Sequence, residues 1–454
     1  MEKDLTQGKP MSIMWRFALP LFLSVVFQQL YNIADSVIAG KFISVDALAA
    51  VGASYPITMI FLAIGTGAGV GGSVIISQLF GGKDHRRMLT AISTALIAIS
   101  VLGVILTVLG AVFCDDLMRL LDTPSNVFAD GSLYLRIYIW GLLFLFLYNM
   151  CNSIFTSLGD SKTPLYFLIC SSLGNIGLDF VFVYYLHMGV AGVAWATFLC
   201  QGVASLLSLF TLLRRMRRLS GGEPYERFSW SMLGRVSRIA GPSILQQSFV
   251  SVGNLFVQRL VNAYGSAVMA AYSSAMKLNT FALTCFFTVA NALSAYAAQN
   301  LGAGKTERVK EGFRAAIILI LGLSVPFLVL YTFFPDFALR LFLSDGDDIA
   351  AVLREGASFL QITSPFFVVI VFKLLADSIL KAGGIMGEFM ISTFSDLVLR
   401  VAFAYLFSLA FGMGSTGIWW GWPIGWVLGT ILSLAFYFHG KWKHPVLIQA
   451  KSAQ

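Results

Sequence analysis

Apolar residues run in long blocks along this chain, and charged residues fall mostly in the short gaps between them. A helix needs about twenty predominantly apolar residues to cross the hydrocarbon of a bilayer. Blocks at or above that length recur from one end to the other. The pattern predicts about twelve spans, at 13–38, 48–76, 88–113, 132–157, 163–184, 188–212, 238–262, 268–298, 311–333, 353–380, 388–410 and 415–439. The fold class is therefore an all-α integral membrane protein. The polar start, Met1–Pro10, leads into the first apolar run with no small-residue cleavage site, so that run reads as an anchor that stays.

The spans repeat. Ser77-Gln78-Leu79-Phe80-Gly81-Gly82-Lys83 closes the second and Ala298-Gln299-Asn300-Leu301-Gly302-Ala303-Gly304-Lys305 the eighth. Met188-Gly189 opens the sixth and Met413-Gly414 the twelfth, while Ala18-Leu19-Pro20 and Ala240-Gly241-Pro242 open the first and seventh. Gln299 follows Gln78 by 221 residues, Met413 follows Met188 by 225, and Pro242 follows Pro20 by 222. An even number of spans per half makes the repeat parallel, about an axis along the membrane normal. The organisation is an N-terminal six-helix lobe at 13–212, a cytoplasmic linker at 213–237 and a C-terminal six-helix lobe at 238–439.

Charge sets the orientation. Lys83, Arg86 and Arg87 fall in gaps on one side, as do the cluster Arg214, Arg215, Arg217 and Arg218, and Lys305 and Arg308. The other side is acidic, with Asp115, Asp116, Asp345, Asp347 and Asp348. Cytoplasmic loops carry the excess of Lys and Arg, so both termini are expected in the cytoplasm, and the basic linker is expected to touch anionic lipid. The net charge of +8 follows this topology and does not mark a nucleic-acid partner. Only 12% of residues are charged, about half the share in soluble proteins. The five cysteines show no metal-ligand spacing and read as small buried hydrophobes. There is no phosphate loop and no nucleophile triad, so the chain reads as a non-enzyme without a cofactor, powered by an ion gradient.

Two carboxylates stand where lipid-embedded helices tolerate few. Asp35 lies in the first span and Asp179 in the fifth, each a little inside the outward end, with Asn175 four residues before Asp179 and so on the same helix face. A charge in hydrocarbon costs several kcal/mol unless paired, hydrated or ion-bound, and its default reading is functional. Asp35, Asn175 and Asp179 together offer hard oxygen ligands for a proton or a sodium ion. Gln28, Tyr31 and Asn32 add polarity within the first span, and these three with Phe27, Phe155, Phe249 and Phe281 are candidates for the wall of a substrate cavity that would hold cations against aromatic faces. In the second half, Lys373 with Asp377 and Asp396 with Arg400 read as two separate structural pairs, the former snorkelling at the cytoplasmic end. Arg259 and Lys277 read as interfacial.

At these positions the chain resembles the multidrug and toxic compound extrusion (MATE) family. The resemblance rests on Pro20 with Asp35 and Gly40, on Leu48-Ala49-Ala50-Val51-Gly52, and on Leu158-Gly159-Asp160-Ser161-Lys162-Thr163-Pro164. It rests also on Asn175 with Asp179, on Gly189 through Thr197, and on the Gln78 and Gln299 span endings. It implies twelve helices in two lobes and export of cationic amphipathic drugs or metabolites against a proton or sodium gradient. It puts Asp35, Asn175 and Asp179 on the cation-coupling positions, with sodium as a possible metal there. It also implies the inner membrane of a bacterium. The NorM-type branch carries an acid in the tenth span, where Pro365–Val371 is apolar here, so coupling is expected in the first lobe. Two lobes in one chain complete a pathway, which suggests a monomer. The rival reading is a flippase for a lipid-linked cell-envelope intermediate, which would need Arg259, Lys277 and Arg400 clustered in a basic cleft.

Overall fold

A computed structural model describes residues 3–31, 50–121, 123–341 and 349–444, with the helical backbone alone for 32–42 and 45–49. Among the described residues the regular structure is entirely helical. Contacts divide the chain into two compact units, residues 1–4 with 19–244 and residues 5–18 with 245–454. Both divisions fall beside a proline inside a helix: Pro20 in α1 (Pro10–Phe42) and Pro242 in α9 (Trp230–Asn262). Proline removes one backbone hydrogen bond of its helix.

The first unit continues through α2 (Val45–Gly81), α3 (His85–Val112), the short α4 (Cys114–Leu120), α5 (Ser125–Trp140), α6 (Leu142–Ser157), α7 (Lys162–Phe180) and α8 (Gly189–Ser220). The second holds α10 (Ser266–Gly302), α11 (Thr306–Phe333), α12 (Pro335–Arg340), α13 (Ile349–Thr363), α14 (Phe367–Ala382), α15 (Met386–Tyr405) and α16 (Ser415–His439). Ten helices among the described residues are long and apolar enough to span a membrane, and α5 with α6, bent by 50° at Gly141, makes an eleventh. Adding α9, 33 residues long but more polar, gives the expected twelve. Much of the expected linker is helix. α8 runs on until Gly221 closes it in the left-handed region at φ 56, and α9 begins at Trp230. The intervening loop is tied to α3 by Ser93 Oγ donating to Arg227 O and by Ser229 N–H donating to Thr94 Oγ1. Of the cysteines, Cys114, Cys151 and Cys285 are buried, Cys200 is half-buried and Cys170 is exposed, so the expectation of buried hydrophobes fails for Cys170 on the outward face of α7.

The repeat extends to the helix defects. A π-helical turn at Val181–Tyr185 follows α7, and another at Leu406–Ala410 follows α15. The break at Gly141 has its counterpart in the 3-10 turn Ser364–Phe366 between α13 and α14. The Gln299–Lys305 motif has a local task in the second unit, where it holds the start of the chain. Leu5 N–H donates to Gln299 Oε1 at 3.0 Å, Asn300 Nδ2 donates to Leu5 O at 3.3 Å, and Lys305 Nζ donates to Thr6 O at 2.9 Å.

The Leu158–Pro164 motif has one in the first. Asp160, 3% exposed, caps α7 by accepting from the Lys162 and Thr163 N–H groups, both at 3.1 Å, and from Thr163 Oγ1 at 2.6 Å. Arg215 of α8 pairs with it at 2.5 Å and lies over the Phe155 ring. Burial pushes the Asp160 carboxyl up, but the Thr163 hydrogen bonds and the Arg215 guanidinium outweigh that and hold it below the ordinary carboxylate value of 3.8. A carboxyl depressed on folding contributes stability above its unfolded pKa and loses it as pH falls through the lower folded value. Asp160→Asn is expected to lower thermal stability at neutral pH, by roughly 3 kcal/mol as a broken buried pair does. In melting curves of the two proteins, the wild-type advantage should begin to shrink below about pH 4 and vanish only once the pH has fallen through the depressed folded value.

Candidate functional site

Asp179 lies in the last turn of α7, just before the π-helical turn, and has no exposed surface. Asn175, 3% exposed, sits one turn earlier on the same face. The surrounding hydrogen bonds fix the orientation of its amide. The nitrogen donates to Asp179 Oδ2 at 2.8 Å and to Tyr31 OH at 3.1 Å, and the oxygen accepts from Thr197 N–H at 3.1 Å. Three helices thus meet at one amide: α1 through Tyr31, α7 through Asn175 and Asp179, and α8 through Thr197. An exposed aromatic pair, Tyr184 and Tyr185, follows within two turns, as expected of an interfacial aromatic belt. That puts the carboxylate near one end of its span.

The arrangement has a definite chemical character. A charge-assisted N–H bond steadies the ionised carboxylate. The amide is itself anchored by a backbone donor, so it resists turning over. In an apolar surrounding each such bond is stronger than in water, and each lost partner is costlier. Protonating or loading Asp179 would therefore be felt at once on α1 and α8 through Asn175.

The sequence-derived candidates separate into groups. Tyr31, Asn175 and Asp179 come together, although Tyr31 was expected in a substrate wall. Thr197 was missed as a site residue. It stands in the Gly189–Thr197 stretch, and its contribution is a backbone N–H that side-chain chemistry does not advertise. Asp35 and Asn32 lie outside the described residues. Phe27 and Gln28 are half-buried in α1. Phe155 is fully buried in the last turn of α6, its ring 6.4 Å from that of Phe167. Phe167 precedes Asp179 by twelve residues, about 18 Å along α7, so Phe155 belongs to the opposite end of that helix. In the second unit, Phe249 packs edge-on against Phe394 and Phe281 against Phe327.

The repeat places Arg400 and Ala404 where Asn175 and Asp179 stand. Here the structure corrects the expected pair of separate ion pairs. Arg400 Nη2 donates to both oxygens of Asp396, at 3.1 and 3.2 Å, and its guanidinium lies over the Trp422 ring at 4.2 Å. Lys373 Nζ donates to Asp377 Oδ2 at 2.8 Å and lies 3.9 Å from Asp396 Oδ2. All four are buried, with exposures from 4% to 8%, so Asp377 does not snorkel. Three glycines of α16 permit this. A Cβ at Gly421 would stand 2.7 Å from Arg400 O, one at Gly425 2.7 Å from Asp396 Oδ1, and one at Gly429 2.7 Å from Lys373 Cε. Small residues every fourth position let helices approach at backbone distance.

The MatE family model matches the chain twice, at residues 20–181 and 242–406. The probable multidrug resistance protein YoeA of Bacillus subtilis is 28% identical over 448 residues, covering 96% of each chain. YpnP of the same organism, also a probable multidrug resistance protein, is 28% identical over 99% of each. Among solved structures, a MOP superfamily transporter from Pyrococcus furiosus superposes with a TM-score of 0.89 at 24% identity, covering 96% of this chain and 97% of that one.

Proposed function

From the fact that this chain belongs to the MatE family, whose members are transporters and not enzymes, we propose that it is a proton-coupled antiporter exporting small cationic amphipathic molecules. The relatives include proteins named for multidrug resistance and a multidrug export protein, MepA, of Staphylococcus aureus. The observation that carries the coupling mechanism is a carboxylate with no exposed surface, hydrogen-bonded to an amide that three helices share. In this reading the ionised and protonated forms of Asp179 favour different packings of α1, α7 and α8. Substrate binds more tightly to the ionised form. Linkage then makes substrate binding weaken proton binding by the same factor.

The proton is preferred to sodium on the orientation of Asn175. Its amide nitrogen faces Asp179, and its oxygen is engaged by Thr197 N–H. A proton needs only a carboxylate oxygen. A sodium ion bound between Asn175 and Asp179 would require the amide to turn over and give up that arrangement. Asp35 joins the site in this proposal on its sequence position alone. Both termini are taken as cytoplasmic, in a bacterial inner membrane, on the bias of Lys and Arg among the loops. A single chain is taken as the working unit. The flippase alternative is less favoured, because Arg400 is buried against Asp396 while Arg259 and Lys277 are exposed on α9 and α10.

The test is efflux of a cationic dye in inverted membrane vesicles, with the proton and sodium gradients collapsed separately. Loss of efflux with the proton gradient alone is the expected result. Efflux that depends on sodium alone overturns the choice of ion, and efflux indifferent to both overturns the antiporter reading. Asn175→Leu, which removes the shared amide without touching the carboxylate, is expected to lower efflux by about tenfold, a change of about 1.4 kcal/mol.

A further inference from the structure

The charge network of the second unit plays no part in the mechanism above, and its donor set has a chemistry of its own. Around Lys373 Nζ stand Asp377 Oδ2 at 2.8 Å and Asp396 Oδ2 at 3.9 Å. Asp377 Oδ1 accepts from Ser433 Oγ at 2.6 Å. The Ser433 hydroxyl is bonded to that of Ser392, which also stands 3.2 Å from Gly429 O, so that its one proton is shared between the two acceptors. Carboxylates, hydroxyls and a carbonyl are the hard oxygen donors that small cations select. Lys373 and Arg400 balance Asp377 and Asp396, and without the ammonium this group would carry one uncompensated negative charge. Gly429 leaves room for the lysine stem, since a Cβ there would stand 2.7 Å from Lys373 Cε.

We propose that the Lys373 ammonium is a tethered cation occupying a built cage in the second lobe, the place an exchangeable alkali ion would otherwise take. The lobe is then permanently loaded. It keeps one packing whatever the sodium concentration, and ion-driven switching is left to the first lobe. Lys373 is in this sense a specificity-determining residue: it denies the second lobe to the coupling ion. The inference is independent of which ion drives the first.

Lys373→Met tests it, because methionine replaces the stem and omits the charged nitrogen. The full chain would carry Asp179→Asn as well, so that any first-lobe sodium binding is removed from the measurement. Melting is then followed in detergent at about pH 8, in sodium chloride and in choline chloride of equal strength. With Lys373 present the two salts are expected to give the same melting temperature. With Lys373→Met, about 100 mM sodium is expected to raise it by roughly 3 °C over choline, as ligand linkage predicts for a site of millimolar affinity. Adding Asp377→Asn should erase the difference. Equal melting of the Lys373→Met protein in both salts overturns the proposal, as does a sodium effect that survives Asp377→Asn. Should Lys373→Met fail to assemble in choline, the recovered monodisperse yield decides: recovery in sodium supports the cage, and equal loss in both salts overturns it.

Discussion

Asp179→Asn is expected to abolish gradient-driven efflux, by about two orders of magnitude, with membrane yield unchanged. The substitution keeps size and shape, and asparagine can still accept from the Asn175 nitrogen at the 2.8 Å contact. What it removes is the ability to take and release a proton. In a site with no exposed surface, no water substitutes for that group. Coupling free energies of 1–3 kcal/mol correspond to about 5–150-fold, and a site carrying the whole coupling should sit at the upper end. The measurement is dye efflux in vesicles against matched protein content. A second readout separates coupling from folding: substrate should still bind, with the weaker affinity of the protonated form, and that affinity should lose its dependence on pH. Wild-type efflux by Asp179→Asn would remove the carboxylate from the mechanism.

The largest effect on stability is expected from Asp396→Ala. Asp396 takes both hydrogen bonds from Arg400 and stands 3.9 Å from Lys373. Removing it leaves two cations facing one carboxylate in a dry helix interface. Breaking one partner out of a buried ion pair costs about 3–5 kcal/mol, whereas replacing the whole pair by apolar groups of similar volume is often close to neutral. Asp396→Leu combined with Arg400→Met should therefore recover most of what Asp396→Ala loses, a non-additivity expected of neighbours in one network. Half-lives at a fixed elevated temperature in detergent make the comparison and hold even where unfolding is irreversible. Equal half-lives for the single variant and wild type would show that the network bears no load.

Much of the architecture was legible in the residues because the bilayer imposes a coarse length on every span. The twelfth span, 415–439, coincides with α16, and the eighth, 268–298, lies within α10, which is longer by two residues at its start and four at its end. The pairing of Asn175 with Asp179 was legible for a different reason: residues four apart share a helix face. The same rule misled at Lys373 and Asp396. It shows neighbours on one helix and is blind to neighbours across two, so a four-member network read as two pairs. The joining contact depends on how closely α16 packs on α15, which Gly421, Gly425 and Gly429 decide. Thr197 was hidden because its part is played by the backbone. The burial of Phe155 beside Phe167 and Arg215 was hidden because its position in the sequence gave a helix and no depth within it.

The π-helical turns after α7 and α15 carry a consequence for descent. Each holds extra residues in a turn, and an insertion of that kind rotates all later side chains by about 100° per residue. Two independent insertions would hardly settle 225 residues apart, at matched points of both halves. One duplicated six-helix unit that already carried the irregularity would leave both turns, with Asn175 and Asp179 at the end of one copy and Arg400 and Ala404 at the matching positions of the other.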